Sequence, residues 1–297
     1  MPSAPLNILA ALDGSGHDPH LIRQMKAWRR CFPQAHLHFL HVVQASPVPQ
    51  KLKEAHPALA EGAPARHSPR ETLAAHWPEG PYQYHERKGA AFKEIIHLVQ
   101  DQEIKLLLLG LKHQRDGSGL INHRLANQSP CSLMLVPAYL PERMARILAA
   151  TDFSAHAEEA LSWGQEWAQC QGAQLEAVHF FHLPGGFLKN AGGQEELAEL
   201  IRRHSEAEKQ AAGPLHAQTP CGFRRNQGHP ERQLLDYATE RQADLLVMGS
   251  KGKTAATALL MGSFAEKVFL HNRSQALLVV KQPGENTGLW KSILSAG

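Results

Sequence analysis

The chain has 297 residues, 43% of them hydrophobic and 20% charged, a balance that excludes a disordered chain and suits two domains of ~150 residues, each able to bury a core. A formal net charge of +3, with Lys and Arg scattered, leaves no basic footprint for nucleic acid, and no apolar run approaches the ~20 residues of a membrane span. Neither a nucleic acid nor a membrane is an expected partner. The opening MPSAPLNILAALDGS lacks the basic and long apolar stretches of a signal peptide, so a cytoplasmic location is expected. The four cysteines, Cys31, Cys131, Cys170 and Cys221, form no C-x-x-C and read as buried free thiols, not as a redox pair or a zinc site.

Taken in order, Asn7 to Leu12 is a short apolar run closed by Asp13-Gly14-Ser15, as expected of a strand buried on both faces. A helix is predicted near His17 to Cys31 and a second strand over Ala35 to Val43. The connection from Gln44 to His67 holds Pro47, Pro49, Pro57 and Pro64, which argue against a long helix there. A short helix over Ser68 to His76 and a strand near Tyr82 to Arg87 follow. Phe92, Ile95, Ile96 and Val99 then repeat at helical spacing, and Leu106 to Gly110 and Leu133 to Val136 read as buried strands. Strands alternating with helices imply β-α-β units and a parallel sheet with right-handed crossovers.

The second half repeats this order. Asp13 and Asp152, Gly89 and Gly228, and Gly110 and Gly249 are each offset by 139 residues, and His41 and His179 by 138. Agreement over so long a stretch indicates a duplication. Strands are expected at Arg146 to Thr151, Gln174 to Phe181, near Phe223 to Asn226, at Leu245 to Met248 and at Ala276 to Lys281. Helices are expected at His156 to Gln171, Glu195 to Ala212, Glu231 to Arg241 and Phe264 to His271. The domains are placed at residues 1–140 and 141–283, with 284–297 as a tail.

The chemistry concentrates in Leu245 to Val280, where Gly249, Gly252, Gly262 and Ser263 make the pattern G-x2-G-x9-G-S between two apolar strands. Glycines admit a ligand close to main-chain amides, and a loop that feeds a helix start presents free N–H groups and a positive dipole end, which together suit phosphate. Two other phosphate motifs fail. Gly252-Lys253-Thr254 resembles half of a Walker loop, but Val247 stands where its first glycine is needed, and Gly14 and Gly16 are followed by Pro19 where a dinucleotide fingerprint needs glycine. Ser263 and Glu266 also form the S-x-x-E of a capping box.

With this glycine pattern, the flanking Asp244 to Ser250 and the matching upstream half, the chain resembles tandem members of the universal stress protein family over about residues 5 to 281. The resemblance implies two open, five-stranded parallel α/β (Rossmann-like) sheets with helices on both faces. It implies one adenine nucleotide, ATP, ADP or AMP with magnesium, in the C-terminal copy, held by Thr151, Asp152, Phe180, Met248, Gly249, Gly252, Lys253, Gly262, Ser263 and Phe264. Asp152 would meet the nucleoside, main chain at Phe180 the adenine, and the glycine loop the phosphates. It also implies pairing through the fifth strands, between the two halves near Leu133 and Ala276 or between subunits of a homodimer. The implied function is that of an ATP-binding stress-response regulator. A slow ATPase or phosphotransferase on the same loop, or an interaction protein with a vacant site, is the alternative, and no catalytic residue is singled out.

The first copy departs from the pattern. His113 replaces the second glycine, and the final glycine is matched to Gly119, followed by Leu120 without a hydroxyl. Its nucleotide site is expected to be lost, with Lys112, His113 and Arg115 left to hold some other anion or to stand in solvent. Of nineteen histidines, His36 and His38 share a strand face, but no carboxylate or cysteine joins them and no metal site is expected.

Overall fold

In the computed structural model of the chain, the described residues are 6–43, 68–77, 80–112, 118–182, 191–253 and 261–282. The chain divides into two compact units, one of residues 2–125 with 133–142, the other of 143–297 with 126–132. In chain order the first half contains β1 (Asn7–Leu12), α1 (Asp18–Cys31), β2 (His36–Val43), α2 (Pro69–His76), β3 (Gln83–Lys88), α3 (Ala91–Asp101), β4 (Leu106–Gly110), α4 (Ser118–Gln128) and β5 (Ser132–Val136). Its strand order is β3-β2-β1-β4-β5, with β1 parallel to β2 and β4, and β2 parallel to β3.

The second half contains β6 (Arg146–Ala150), α5 (Ala155–Gln171), β7 (Gln174–Phe181), α6 (Ala191–Ala211), α7 (Pro214–Gln218), β8 (Cys221–Arg225), α8 (Pro230–Glu240), β9 (Leu245–Gly249), α9 (Ser263–His271) and β10 (Leu277–Val280). Its order is β10-β9-β6-β7-β8, and the pairs β9/β10, β6/β9, β6/β7 and β7/β8 are parallel. Two tandem α/β units with parallel pairing are the expected fold.

The central strands are apolar without alternation because both of their faces are covered. Leu106, Leu107 and Leu108 of β4 and Leu245, Leu246 and Val247 of β9 are fully buried, as are Ile8, Leu9 and Ala10 of β1. The edge strands β3 and β8 are half-buried and polar instead. Each core is anchored by a tryptophan with no exposed surface, Trp28 on α1 and Trp167 on α5. The duplication is visible at atomic detail, since His41 Nδ1 lies 3.1 Å from the Leu12 carbonyl and His179 Nδ1 lies 2.8 Å from the Thr151 carbonyl.

Three readings are corrected. The helices α4 and α7 were not expected, and the capping box does not form. Helix α9 begins at Ser263 with Gly262 at the cap position, so the serine hydroxyl sits inside the first turn and cannot close it. Of the cysteines, Cys131 is a buried free thiol and Cys221 a half-buried one, but Cys31 and Cys170 are disulfide-bonded.

Candidate functional site

In the C-terminal unit β6 lies between β9 and β7, so the chain leaves β6 and β9 in opposite directions at their carboxyl ends. A crevice opens at such a reversal of strand order. Two loops meet there. Thr151 to Ser154 leave β6 and enter α5, whose first turn is capped by Ser154 accepting from the Ala157 amide at 3.2 Å. Ser250 to Lys253 leave β9, and after residues 254–260 the chain returns through Met261 and Gly262 into α9.

Asp152 ties the loops together. Its Oδ1 accepts from the Ser154 amide at 3.0 Å and its Oδ2 from the Lys253 amide at 2.8 Å. A Cβ on Gly252 would lie 2.6 Å from that Oδ2. A Cβ on Gly249 would lie 2.8 Å from the His156 carbonyl oxygen, and one on Gly262 would lie 3.3 Å from Lys251 Cα. The glycines are therefore required first by the close approach of one loop to the other, before any ligand is considered. The Gly262 amide donates to the Ser250 carbonyl at 2.8 Å, which closes the loop onto the start of α9.

Among the described residues no side chain caps α9, so the amides of its first turn remain as donors at the positive end of the helix. The Lys253 ammonium bonds Glu208 of α6 at 3.0 Å and stands 5.8 Å from the centre of the Phe153 ring. Thr151, Asp152, Gly252, Lys253 and Gly262 thus lie on the two loops, with Gly249 ending β9, Ser263 opening α9 and Phe264 half-buried in its first turn. Phe180 lies at the carboxyl end of the neighbouring β7, paired with Arg224 of β8. Met248 is 2% exposed in β9, buried rather than open at the crevice.

Behind Thr151 lies a set of aromatic groups that sequence reasoning missed. Phe153 adopts a left-handed backbone at φ 61°, and its ring centre is 4.7 Å from that of His179 and 5.6 Å from that of His216. Burial holds both imidazoles below the usual histidine range, although the bond to the Thr151 carbonyl pulls His179 the other way. Nothing in the spacing of His216 marks it, because it reaches Thr151 across 65 residues of chain.

The equivalent place in the N-terminal unit is built differently. Asp13 Oδ1 accepts from the Ser15 amide at 3.1 Å, and its Oδ2 is paired with the Lys112 ammonium. Burial would raise this carboxyl, but Lys112 and Ser15 outweigh it and hold it below the ordinary carboxylate range. The amides of Asp13 and Gly14 turn inward to Asp18, which is 1% exposed and accepts from them at 3.1 and 2.9 Å. Burial pushes the Asp18 carboxyl up to about 6 despite these bonds.

Residues 113–117, with His113 and Arg115, lie outside the described residues. The match of Gly119 to the final glycine is corrected, because α4 begins at Ser118 as α9 begins at Ser263. Gly117 and Ser118 therefore align with Gly262 and Ser263. The step from Gly110 to Gly117 is seven residues against thirteen from Gly249 to Gly262, a loop shorter by six.

His36 and His38 do not converge. His36 Nδ1 is 3.1 Å from Asn7 Oδ1, and the buried His38 Nδ1 is 3.2 Å from His85 Nε2. Among the described residues no three His, Cys, Asp or Glu side chains gather for a metal ion, and no described helix is long and apolar enough to cross a membrane.

A sequence model of the universal stress protein family matches this chain twice, over residues 6–137 and 144–281. The chain belongs to the universal stress protein family. Its two matches cover the two repeats found by offset. A curated relative, "Universal stress protein in QAH/OAS sulfhydrylase 3'region" of Thermus aquaticus, is 35% identical over 138 residues, 45% of this chain and 96% of its own length. Among solved structures, the functionally unknown protein PA1789 of Pseudomonas aeruginosa PAO1 superposes with a TM-score of 0.67 at 16% identity, covering 99% of this chain and 98% of that one. A universal stress protein of Archaeoglobus fulgidus DSM 4304 gives a TM-score of 0.56 at 15% identity, covering 93% and 98%. At such identities these two structures speak for the fold alone.

Proposed function

We propose that the C-terminal unit of this universal stress protein binds one adenine nucleotide, with ATP the first ligand to test, and that the chain acts as a nucleotide-dependent regulator in the cytoplasm. The reading rests on one juxtaposition. Asp152 stands across a tight crevice from a glycine loop that ends in a helix start with no side-chain cap among the described residues. A polyphosphate fits these donors. The first-turn amides of α9 and the Lys253 ammonium supply hydrogen bonds and positive charge to its oxygens, and the glycines keep Cβ atoms out of the way. On this reading Asp152 would meet a ribose hydroxyl and the main chain at Phe180 the base edge.

Magnesium would arrive on the phosphates and neutralise part of their charge. No residue is assigned as a base for attack by water, so binding and release are expected in place of rapid turnover. In the N-terminal unit Lys112 occupies the carboxylate of Asp13, and no nucleotide is expected there.

Calorimetry with ATP and magnesium, followed by chromatography of the nucleotide, tests the proposal. One molar equivalent bound and recovered intact supports it. Steady release of ADP would favour the slow ATPase, and absence of binding by ATP, ADP and AMP would leave an interaction protein.

A further inference from the structure

Helix α7 has five residues, too few for a helix to persist unaided. It is pinned by its surroundings. Gly213 precedes Pro214 at φ 128°, where a Cβ would lie 2.9 Å from Glu158 of α5, and the Thr219 hydroxyl donates back to the Leu215 carbonyl at 2.8 Å. The side chain that α7 buries is His216, 2% exposed. Its Nε2 lies 2.9 Å from the Thr151 hydroxyl, while its Nδ1 is buried with no hydrogen-bond partner among the described residues. A buried nitrogen left unpaired is costly, so an apolar side chain of similar size would pack here at lower cost. What the imidazole supplies beyond an aliphatic side chain is the bond to Thr151 and an edge contact with the Phe153 ring.

That bond acts on the candidate site. The Thr151 hydroxyl accepts from the Phe153 amide at 3.0 Å, and Phe153 is the residue with the left-handed backbone. A bulky residue stays in that region only when its surroundings hold it. Asp152 lies between the two, so the direction of its carboxylate toward the Lys253 amide depends on this turn. We infer that His216 is a positioning residue of the nucleotide site, holding the Thr151 hydroxyl and through it the Phe153 turn that aims Asp152. This role rests on the nucleotide reading above for its functional meaning, but not for its geometry.

The ring is held neutral. The charged ring would carry an N–H on Nδ1 with no acceptor among the described residues. Burial outweighs the pull of Glu158 and Asp152 toward the charged form, and Lys209 opposes that form too.

Two substitutions separate a bond from mere bulk. In His216→Gln the amide nitrogen can take the place of Nε2; in His216→Leu the volume stays and the bond goes. Affinity for ATP with magnesium, measured by calorimetry, is expected to fall about tenfold in His216→Leu and to stay within about threefold of the parent in His216→Gln, the range of one lost buried hydrogen bond. Thr151→Val should match His216→Leu, and their combination should be no worse than either alone. Hydrogen exchange at the Phe153 amide supplies a readout without ligand, faster in His216→Leu and unchanged in His216→Gln.

Equal affinity and equal exchange in His216→Leu and the parent would overturn the inference, as would a His216→Gln as impaired as His216→Leu. If His216→Leu fails to fold, exchange at the Phe153 amide in Thr151→Val decides instead, faster than in the parent if the role stands and unchanged if it does not. A parent that binds no nucleotide while its Phe153 amide still responds to His216 would sink the nucleotide reading and leave the positioning role standing.

Discussion

Gly252→Ala is a mutation whose cost can be worked from contacts alone. The added Cβ would lie 2.6 Å from Asp152 Oδ2, roughly 0.8 Å inside the 3.4 Å at which ordinary contact begins. The carboxylate is held by the Ser154 and Lys253 amides, so relief requires it to turn away from the loop, and the 2.8 Å bond from the Lys253 amide then breaks. A hydrogen bond to a charged acceptor contributes about 1.5–3 kcal/mol, and partial exposure of Asp152 reduces this to about 1–2 kcal/mol. For a unit of this size that corresponds to a fall in Tm of about 3–6 °C. Thermal melts without ligand measure it.

The decisive comparison is the same substitution in an Asp152→Ala background, where the obstructing oxygen is gone. There Gly252→Ala should cost less than about 0.5 kcal/mol, because the two residues act through one contact. An equal fall in Tm in both backgrounds would show that Gly252 is not there to admit Asp152, and the account of the loop would fail.

Trp167, with no exposed surface and its indole N–H directed 3.1 Å from Met144 Sδ, is the anchor of the C-terminal core. Trp167→Ala should destabilise that unit by about 3–5 kcal/mol, read as a lower urea midpoint, and a loss below about 1 kcal/mol would contradict the burial. Asp18 makes the N-terminal unit sensitive to pH. Its folded pKa, raised from 3.8 to about 6, means that the folded unit holds this proton more tightly than the unfolded chain. The stabilisation is full below pH 3.8 and is lost as pH rises toward 6. Asp18→Asn should remove this part of the slope between pH 4 and 6, and urea melts of parent and variant with identical slopes there would refute it.

The strands were legible where the residues leave little choice. Leu106 to Gly110 and Leu245 to Gly249 are apolar on every residue before their glycines, a pattern that suits only a strand covered on both sides. The offset between His41 and His179 was legible for the same reason that their bonds to Leu12 and Thr151 match, since both follow from one repeated register.

What escaped was set by contacts between distant parts of the chain. Gly252 reads in sequence as room for a ligand, yet the space beside it is taken by Asp152, whose bond to Lys253 spans 101 residues. The S-x-x-E at Ser263 suggests a cap, but Gly262 adopts the extended backbone of the cap and its carbonyl accepts from the Glu266 amide at 2.9 Å, one residue earlier than the pattern implies. Helix α4 presents Asn122, His123 and Arg124 in mid-helix and shows no clear apolar stripe, so its start at Ser118 had no signal in periodicity.

The central claim is that nucleotide is gripped by the C-terminal loops alone. Amide hydrogen exchange of the full chain, with and without ATP and magnesium, tests it residue by residue. Slower exchange confined to the amides of Gly249–Lys253 and Ser263–Ala265 is the predicted result. Protection at Asp13–Ser15 and Gly110–Lys112, or at neither place under saturating nucleotide, would contradict it.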